Sequence, residues 1–226
     1  MPPSRLKPVL FFDFDNTLTD GDVLDDLIER YSPNEAWRDW ENAWAQGKLP
    51  ARDCLRLQVE NMRVSRETLL ADVARVRIDP AFVEIVAWAR RRDVDVSIVS
   101  DSFMPLINRM LQANGVHGVP VFANDLHFSG GDRLEASFPF ADPASACSAN
   151  AKALHLAPYR GSHRIVFAGD GHSDLDAALA ADVVFAKSTL ARELDVRGVA
   201  FYPFETLEPV LAFLEAVPLH AVAKVA

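Results

Sequence analysis

Two aspartates, Asp13 and Asp15, follow directly on an apolar run at residues 9–12, and this pair constrains the fold more than any other feature of the chain. The run of valine, leucine and phenylalanine is typical of a buried strand. Because alternate residues of an extended chain point the same way, both carboxylates would crowd into one small volume. Like charges that close destabilise each other unless a cation or a shared proton intervenes. The pattern therefore predicts a strand end at which carboxylates do chemistry, although aspartate-rich turns after strands also occur in purely structural roles.

Short apolar runs alternate with helical patterns along the chain, as in α/β folds that are built on a largely parallel sheet. We predict strands at residues 9–12, 94–99, 119–123, 165–168, 183–186 and 200–202. Helical patterns occupy residues 22–31, 34–46, 51–62, 66–75 and 80–92. The predicted fold class is therefore α/β, with a Rossmann-like, mostly parallel sheet.

About eighty residues without a convincing strand separate the first two predicted strands. Because this segment reads as helices, we predict a helical cap domain at residues 20–78, inserted after the first strand. The remaining residues, 1–19 and 79–226, are then the core domain.

Two further patterns concern the cap and the edge of the sheet. Gly130 and Gly131 lie between two alternating segments, which predicts a β-hairpin extension leaving the parallel sheet. Trp37, Trp40 and Trp44 share one face of the second cap helix. We interpret this stripe as the apolar core of the cap; in the alternative, one tryptophan lines a substrate pocket.

Composition excludes several classes of partner. The net charge of -9 and the pI near 5.1 argue against non-specific nucleic-acid or anionic-membrane binding, which need a basic surface. Cys54 and Cys147 lack the spacing of a zinc site and favour a reducing compartment. Residues 1–7 leave no room for a signal peptide before the first strand, and no apolar run approaches the length of a membrane span. We expect a cytoplasmic protein, a monomer or homodimer, without nucleic-acid or membrane partners.

Polar groups that suit a phosphate follow the second predicted strand. Ser100 offers a hydroxyl at the strand end, where open α/β sheets bind their ligands. The backbone amides of Asp101 and Ser102 then follow, free to hold phosphoryl oxygens. Lys152, at the start of a later helix, is the one lysine between Ser100 and Asp170. An acidic protein that binds phosphate needs such a local cation, although most lysines are ordinary surface residues.

A second acidic motif, from Gly169 to Asp174, follows the predicted strand at residues 165–168. Glycines allow a tight turn with close backbone approach. Asp170 stands at the strand end, where a hard carboxylate oxygen suits Mg²⁺. Asp174 falls in the first turn of the next helix, where an acidic residue is also simply favourable for the helix. For Asp174 the functional and structural interpretations stay equally open.

These motifs resemble the four motifs of the haloacid dehalogenase superfamily and follow one another in the same order. The resemblance extends over about residues 9–190, which is nearly the whole chain. The superfamily consists mostly of Mg²⁺-dependent phosphatases that work through an aspartyl-phosphate. The matching residues are Asp13-x-Asp15-x-Thr17, Ser100, Lys152 and Gly169-Asp170-Gly171-x-x-Asp174. A helical insertion between the first two motifs resembles the phosphoserine phosphatase-like branch.

Local strings resemble one subgroup of that branch more closely. Residues 99–103, 121–124 and 183–204 look like the methionine-salvage phosphatases that act on 2-hydroxy-3-keto-5-methylthiopentenyl-1-phosphate. In that subgroup a Cys-Gly-Asn-Cys-Lys string carries the lysine. Here Ala151 replaces the second cysteine and the glycine is absent, which puts identical specificity in doubt.

The resemblance implies a role for each motif residue. Asp13 is the nucleophile, Asp15 the general acid and base, and Thr17 orients Asp15 or the motif backbone. Ser100 and Lys152 bind the phosphoryl oxygens. The implied Mg²⁺ ligands are the Asp13 carboxylate, the Asp15 carbonyl and Asp170, with Asp174 acting through the groups around the ion.

Other functions compete with a phosphatase that hydrolyses a small-molecule ester. A phosphotransferase or mutase would use a substrate hydroxyl in place of water. A dehalogenase is disfavoured because it needs neither the second aspartate nor a metal. A non-catalytic phosphometabolite-binding protein would be expected to lack Asp13 or Asp15, and both are present.

Phosphoserine phosphatases hold their substrate with a cap glutamate and a cap arginine, whose matching positions here are Asp22 and Gln58. Gln58 lacks the bidentate ion pair that a guanidinium forms with a carboxylate, and Asp22 is one methylene shorter than glutamate. We therefore expect phosphoserine to be a poor substrate, unless the neighbouring Arg56 substitutes.

Overall fold

The central strand, β1 (Lys7–Phe12), is apolar on both faces because helices cover both sides of the sheet. Leu10 and Phe12 belong to one core cluster, whereas Val9 and Phe11 belong to a second. This split follows from the alternation of side chains along a strand. The structure, a computed structural model, describes residues 6–143 and 145–216. Residues 1–5, on which the expected absence of a signal peptide depends, lie outside this range.

Seven strands form one sheet in the order β4-β3-β2-β1-β5-β6-β7. β4 pairs with β3 in the antiparallel sense, and the other neighbours are parallel. This arrangement confirms the predicted α/β class with a mostly parallel sheet. The strands after β1 are β2 (Asp95–Phe103), β3 (Val121–Phe128), β4 (Leu134–Ser137), β5 (His163–Gly169), β6 (Val183–Ala186) and β7 (Tyr202–Pro203).

Two strands, β2 and β3, continue several residues past their predicted carboxyl ends. β2 continues past Ser100 to Phe103, with a register shift against β3 after Val99. β3 is a single strand that pairs first with β2 and then with β4, so the predicted hairpin is a continuation of the sheet's own strand. Apolar periodicity underestimated both lengths because polar residues of these strands face the site or solvent.

Ten helices are described, and the first five lie between β1 and β2, close to their predicted bounds. Asp79 caps the fifth of them by accepting the N–H of Ala81, and Pro80 occupies its first turn, where a missing N–H costs nothing. The helices are α1 (Val23–Tyr31), α2 (Ala36–Ala45), α3 (Ala51–Asn61), α4 (Arg66–Val73), α5 (Pro80–Arg91), α6 (Met104–Ala113), α7 (Lys152–Leu156), α8 (Leu175–Ala180), α9 (Ser188–Arg197) and α10 (Glu208–Ala216).

The segment from α1 to α4 leaves and rejoins the core at one place, where Thr19 and Ile78 form an isolated antiparallel bridge. This bridge supports a cap at residues 20–78, which stays a prediction. α3 also contacts the β3–β4 extension and the loop after it, because Glu60 accepts the N–H of Ala136 and Ala146 accepts the N–H of Ala51. The hairpin therefore buttresses the helical segment, a contact that the sequence pattern did not indicate.

The tryptophan stripe of α2 is less buried than expected, because no residue of that helix is fully buried. Trp37 packs against the main core cluster and under the guanidinium of Arg38. Trp44 lines a cavity between helices α1 to α3 and the carboxyl ends of the strands. The interpretation of the stripe as an apolar core is therefore wrong for this residue. In the part of the chain that the structure describes, no helix is long and apolar enough to cross a membrane.

Candidate active site

The two aspartate motifs meet at the carboxyl ends of β1 and β5, which are neighbours in the sheet. The strand order reverses between β1 and β5, because β2 lies on one side of β1 and β5 on the other. Open α/β sheets bind their ligands at such a point. A cavity of about 190 Å³ opens there, between the strand ends and α1 to α3. The predicted site residues that line it are Asp13, Asp15, Asp22, Gln58, Ser100, Asp101, Ser102, Lys152 and Asp170.

Lys152 joins the two motifs at the floor of the cavity. Its Nζ lies 2.7 Å from Oδ1 of Asp13 and 2.6 Å from Oδ1 of Asp174. All three side chains are almost fully buried. Burial alone would lower the pKa of Lys152, but Asp13, Asp174 and Asp101 outweigh it and hold that pKa well above its usual value. Lys152 is therefore a permanent cation within the site.

The acidic groups still exceed this single cation. Oxygens of Asp13, Asp170 and Asp174 all lie within 4.8 Å of one another. Burial and then repulsion from Asp174 raise the pKa of Asp13 well above its usual range, against the opposing effect of Lys152. Burial, with Asp174 next, raises the pKa of Asp170 to about 6. Three crowded carboxylates form a donor set that suits a hard divalent cation such as Mg²⁺.

Backbone and side-chain contacts hold the carboxylates of the second motif. Oδ2 of Asp174 accepts the N–H groups of Asp170 and Gly171, at 3.0 Å each. Asp174 lies in a 3₁₀ turn at His172–Asp174 that precedes α8. The oxygens of Asp170 accept from Asn16 Nδ2 at 2.6 Å and from Thr17 Oγ1 at 3.5 Å. Asn16 is in the left-handed conformation, with φ of 50°, and no motif of the sequence marked it as a site residue.

Asp15 faces the start of the helical segment. Its Oδ1 accepts the N–H of Val23, the first residue of α1, at 3.1 Å. Desolvation and then repulsion from Asp22 raise the pKa of Asp15 well above its usual value. Burial and the neighbouring Asp22 thus favour the protonated form of Asp15. A carboxyl group that keeps its proton suits a general acid.

Asp101 acts through its side chain, whereas we had predicted a role for its backbone amide. Its carboxylate accepts from Ser148 Oγ at 2.8 Å, from Ala149 N at 2.9 Å and from Asn150 N at 3.1 Å. The fully buried Asn150 in turn donates from Nδ2 to the carbonyls of Ser100 and Phe122. This clasp ties the loop before Lys152 to β2 and β3, and so orients the lysine.

The sequence predicted a free backbone amide at Ser102. In the structure this amide donates to Oγ of Ser100 at 3.0 Å. Ser100 is also inside β2 and not at its end. The register of β2 against β3 shifts between Val99 and Phe103, and Ser100, which lies in this stretch, lines the cavity. Ser100 therefore belongs to an irregular part of the strand.

Two of the predicted site residues, Thr17 and Arg56, lie away from the cavity wall, whereas Gln58 lies on it. Thr17 is absent from the cavity wall and contacts Asp170, not Asp15. Arg56 is also absent from the wall, because its guanidinium pairs with Asp53 at 3.1 Å and lies over the ring of Phe138. Gln58 lines the cavity with 1% of its surface exposed. In this structure the Arg56 guanidinium is directed to Asp53 and Phe138 and not to the cavity.

Comparisons with known proteins follow the geometry. The family model described as haloacid dehalogenase-like hydrolase matches residues 10–179. The polyol phosphate phosphatase PYP1 of Saccharomyces cerevisiae is 27% identical over 233 residues, which cover 94% of each chain. The 2-hydroxy-3-keto-5-methylthiopentenyl-1-phosphate phosphatase of Brevibacillus brevis is 25% identical over 221 residues, which cover 96% of this chain and 99% of the relative.

Solved structures match the fold. A substrate-bound phosphoserine phosphatase complex superposes with a TM-score of 0.69 and 21% identity, covering 93% of this chain and 99% of that chain. At this identity the likeness establishes the architecture alone. The match confirms the Rossmann-like sheet that the sequence predicted.

We predict that Gly169→Ala disrupts the site. A Cβ at this position would lie 2.6 Å from Oδ2 and 2.7 Å from Cγ of Asp174, and 2.8 Å from Cε1 of Phe167. Because Asp174 is held by two amides and by Lys152, it has no free direction in which to move. We expect a loss of about 1–3 kcal/mol in the free energy of unfolding and weaker Mg²⁺ binding.

Gly171→Ala is the matched control, because its Cβ would meet nothing closer than 3.8 Å. Chemical denaturation and metal titration of the two variants measure the difference. Wild-type stability and metal affinity in Gly169→Ala would show that the close packing of Asp174 on this glycine has no energetic role.

Proposed function

We propose that this chain, which belongs to the haloacid dehalogenase-like hydrolase family and is a phosphoric monoester hydrolase, cleaves small phosphate esters. In this proposal the reaction uses Mg²⁺ and passes through a phosphorylated Asp13. The family and the phosphatase class follow from the match over residues 10–179 and from the full-length similarity to phosphatases. The metal, the covalent intermediate and the roles of single residues are our proposal.

One observation carries the proposal: a buried lysine lies between two buried carboxylates, with a third carboxylate beside them, at the end of an open cavity. Such a group of charges has no structural purpose that an apolar core would not serve better. It does suit a phosphoryl group, whose transfer depends mainly on positioning and on stabilisation of charge.

The residues present fit a magnesium ion. Asp13 and Asp170 would hold it with the backbone carbonyl of Asp15, and Asp174 would orient the surrounding groups. When bound, the ion neutralises phosphoryl charge and brings Asp13 to its ionised form. Lys152 and Ser100 then bind the phosphoryl oxygens from the other side of the cavity floor.

The chain's own residues account for both chemical steps. A carboxylate oxygen of Asp13 attacks phosphorus, and the bond from phosphorus to the leaving oxygen breaks. Asp15 donates its proton to that oxygen, so an alcohol departs. In the second step Asp15 takes a proton from water, which attacks phosphorus and breaks the bond to Asp13. Inorganic phosphate leaves and Asp13 is free again.

The helical segment at residues 20–78 is proposed to act as a cap that reads the leaving group. Its helices supply one wall of the cavity, and Val23 at its start binds Asp15 directly. The position of Asp15 is thus coupled to the position of α1. This coupling would let the acid act only when the cap closes over a substrate.

For the substrate, similarity offers candidates. 2-Hydroxy-3-keto-5-methylthiopentenyl-1-phosphate is one candidate, because a phosphatase named for this substrate is similar to the chain over nearly its whole length. A polyol phosphate is another, on the same ground. Both are small, and both carry an uncharged leaving group. Gln58 at the position of the cap arginine and the pairing of Arg56 with Asp53 argue against phosphoserine. The substitution at Ala151 sets the chain apart from the methionine-salvage subgroup.

We predict that Asp13→Asn abolishes Mg²⁺-dependent phosphate release, because an amide is not a nucleophile for phosphorus. A loss of about 10³-fold or more in kcat is expected, with the fold preserved by circular dichroism. Asp20→Asn is the matched control, because Asp20 is exposed and is not part of the cavity wall. Phosphate release by Asp13→Asn at the control's rate would overturn the covalent mechanism.

We predict that the effect of Asp15→Asn depends on the leaving group. An alkyl phosphate needs a proton on its leaving oxygen, so its phosphorylation step is expected to slow by about 10²–10⁴-fold. p-Nitrophenyl phosphate has a stable leaving anion and is expected to lose far less in that step. Stopped-flow measurement of the first turnover separates the two substrates, and equal losses would remove Asp15 from the role of general acid.

A further inference from the structure

The end of the cavity that faces the cap is acidic. Asp22 and Asp25 lie at the start of α1 and Glu41 lies on α2, and all three line the same cavity as Asp13 and Asp15. Asp25 and Glu41 were not singled out in the sequence, because nothing in a helical pattern shows which face meets a ligand. The leaving group of any phosphate ester held by Lys152 must occupy this end.

No cation balances these acids. In the part of the chain that the structure describes, Lys152 is the one lysine or arginine on the cavity wall, and it is paired with Asp13 and Asp174. His172, which also lines the cavity, is paired through Nδ1 with Glu193. Nothing in the leaving-group end is therefore arranged to receive a second negative charge.

Gln58 gives an independent indication of the ligand. Its side chain is almost fully buried, and its Nε2 donates to Oε2 of Glu41 at 2.9 Å and to the carbonyl of Trp37 at 3.5 Å. Because both partners are acceptors, the orientation of the amide is determined by its surroundings. Among the hydrogen bonds of the described residues none reaches Gln58 Oε1, and this oxygen does not belong to the fully buried atoms that lack a partner, so it is open to the cavity that the residue lines. A hydroxyl group of a ligand can donate to it there.

The electrostatics point in the same direction. Desolvation in the cavity and repulsion from Asp22 and Glu41 raise the pKa of Asp25 to about 7. Desolvation also raises the pKa of Asp22, with Glu41 contributing. Further negative charge here meets repulsion that no neighbouring side chain offsets. Hydroxyl groups, in contrast, donate to each of these acceptors without a change of charge.

The cavity also suits such a ligand in size and surface. Its volume of about 190 Å³ is that of a small metabolite, below the roughly 300–1,000 Å³ of sites for drug-sized ligands. Trp44 and Leu55 supply apolar wall between the polar groups, against which the carbon face of a short polyol can pack.

We propose that Asp25, Glu41 and Gln58 select, at the proposed phosphatase site, uncharged leaving alcohols that carry several hydroxyl groups, and exclude those with a second anionic group. This inference rests on the proposed function. The three residues are assigned to the leaving group and not to the reacting atoms, and of them Asp25 also contributes to the raised pKa of Asp15.

Three esters of one carbon skeleton test the inference. Glycerol 3-phosphate offers hydroxyl donors, 3-phosphoglycerate replaces one hydroxymethyl group by a carboxylate, and n-propyl phosphate lacks donors. The wild-type enzyme is expected to show a kcat/KM for glycerol 3-phosphate at least tenfold above that of each of the others. Equal kcat/KM values for the three esters would overturn the proposal.

Glu41→Gln and Asp25→Asn test which residues cause the preference. Each variant is expected to lower the ratio of kcat/KM for glycerol 3-phosphate to kcat/KM for 3-phosphoglycerate by at least threefold. In Glu41→Gln, where the pKa of Asp15 keeps its main causes, kcat for p-nitrophenyl phosphate is expected to change little. Asp39→Asn, on the same helix as Glu41 but absent from the cavity wall, is the matched control and is expected to keep the wild-type ratio. A ratio of the two kcat/KM values that stays at the wild-type value in both variants would overturn the assignment. If one variant fails to fold, the ratio in the other decides.

Two further results separate the possible failures. A kcat/KM for 2-aminoethyl phosphate more than tenfold above that for glycerol 3-phosphate would show that the acids select a cation, against the proposal. Absence of turnover with every ester, p-nitrophenyl phosphate included, would overturn the phosphatase function itself and this inference with it. Turnover of p-nitrophenyl phosphate without preference among the three esters would overturn the inference alone.

Discussion

The contacts of Lys152 with Asp13 and Asp174 are the constraint on which the rest of the structure depends. Removing one partner from a buried ion pair typically costs about 3–5 kcal/mol, so each of these side chains needs the other two. They come from the end of β1, the start of α7 and the turn after β5. The sheet order, which places β1 beside β5, brings together charges that lie up to 161 residues apart in the chain. The group retains an excess of negative charge, which defines a place for a cation and a phosphoryl group.

Further networks hold this group from two sides. The carboxylate of Asp101 and the amide of Asn150 tie the loop before Lys152 to β2 and β3. On the other side, Asp15 binds the first N–H of α1, so the helical segment and the acid are mechanically linked. The β3–β4 extension supports that segment through α3. Hydrogen bonds thus hold the phosphoryl end of the site, whereas acceptors from α1 to α3 converge at the leaving-group end.

The sequence predicted the parts of this arrangement that depend on local pattern. Asp13 and Asp170 were found because each follows an apolar run, and the helices between β1 and β2 were found because their periodicity is local. The Asp101 clasp was missed because its partners lie 47 to 49 residues away. Gly169 was expected for its backbone freedom, whereas the structure needs it for the space that Asp174 occupies. The periodicity of α2 predicted a shared tryptophan face, but what Trp44 faces depends on tertiary packing.

The most direct test of the account is detection of the phosphorylated enzyme. The wild-type protein is mixed with Mg²⁺ and excess p-nitrophenyl phosphate, quenched in acid within the first turnover and digested for mass spectrometry. The account predicts one added phosphoryl group on the peptide that contains Asp13, with the modification on that residue, and none in Asp13→Asn. A full turnover with unmodified Asp13, or with the phosphoryl group on another residue, would contradict it.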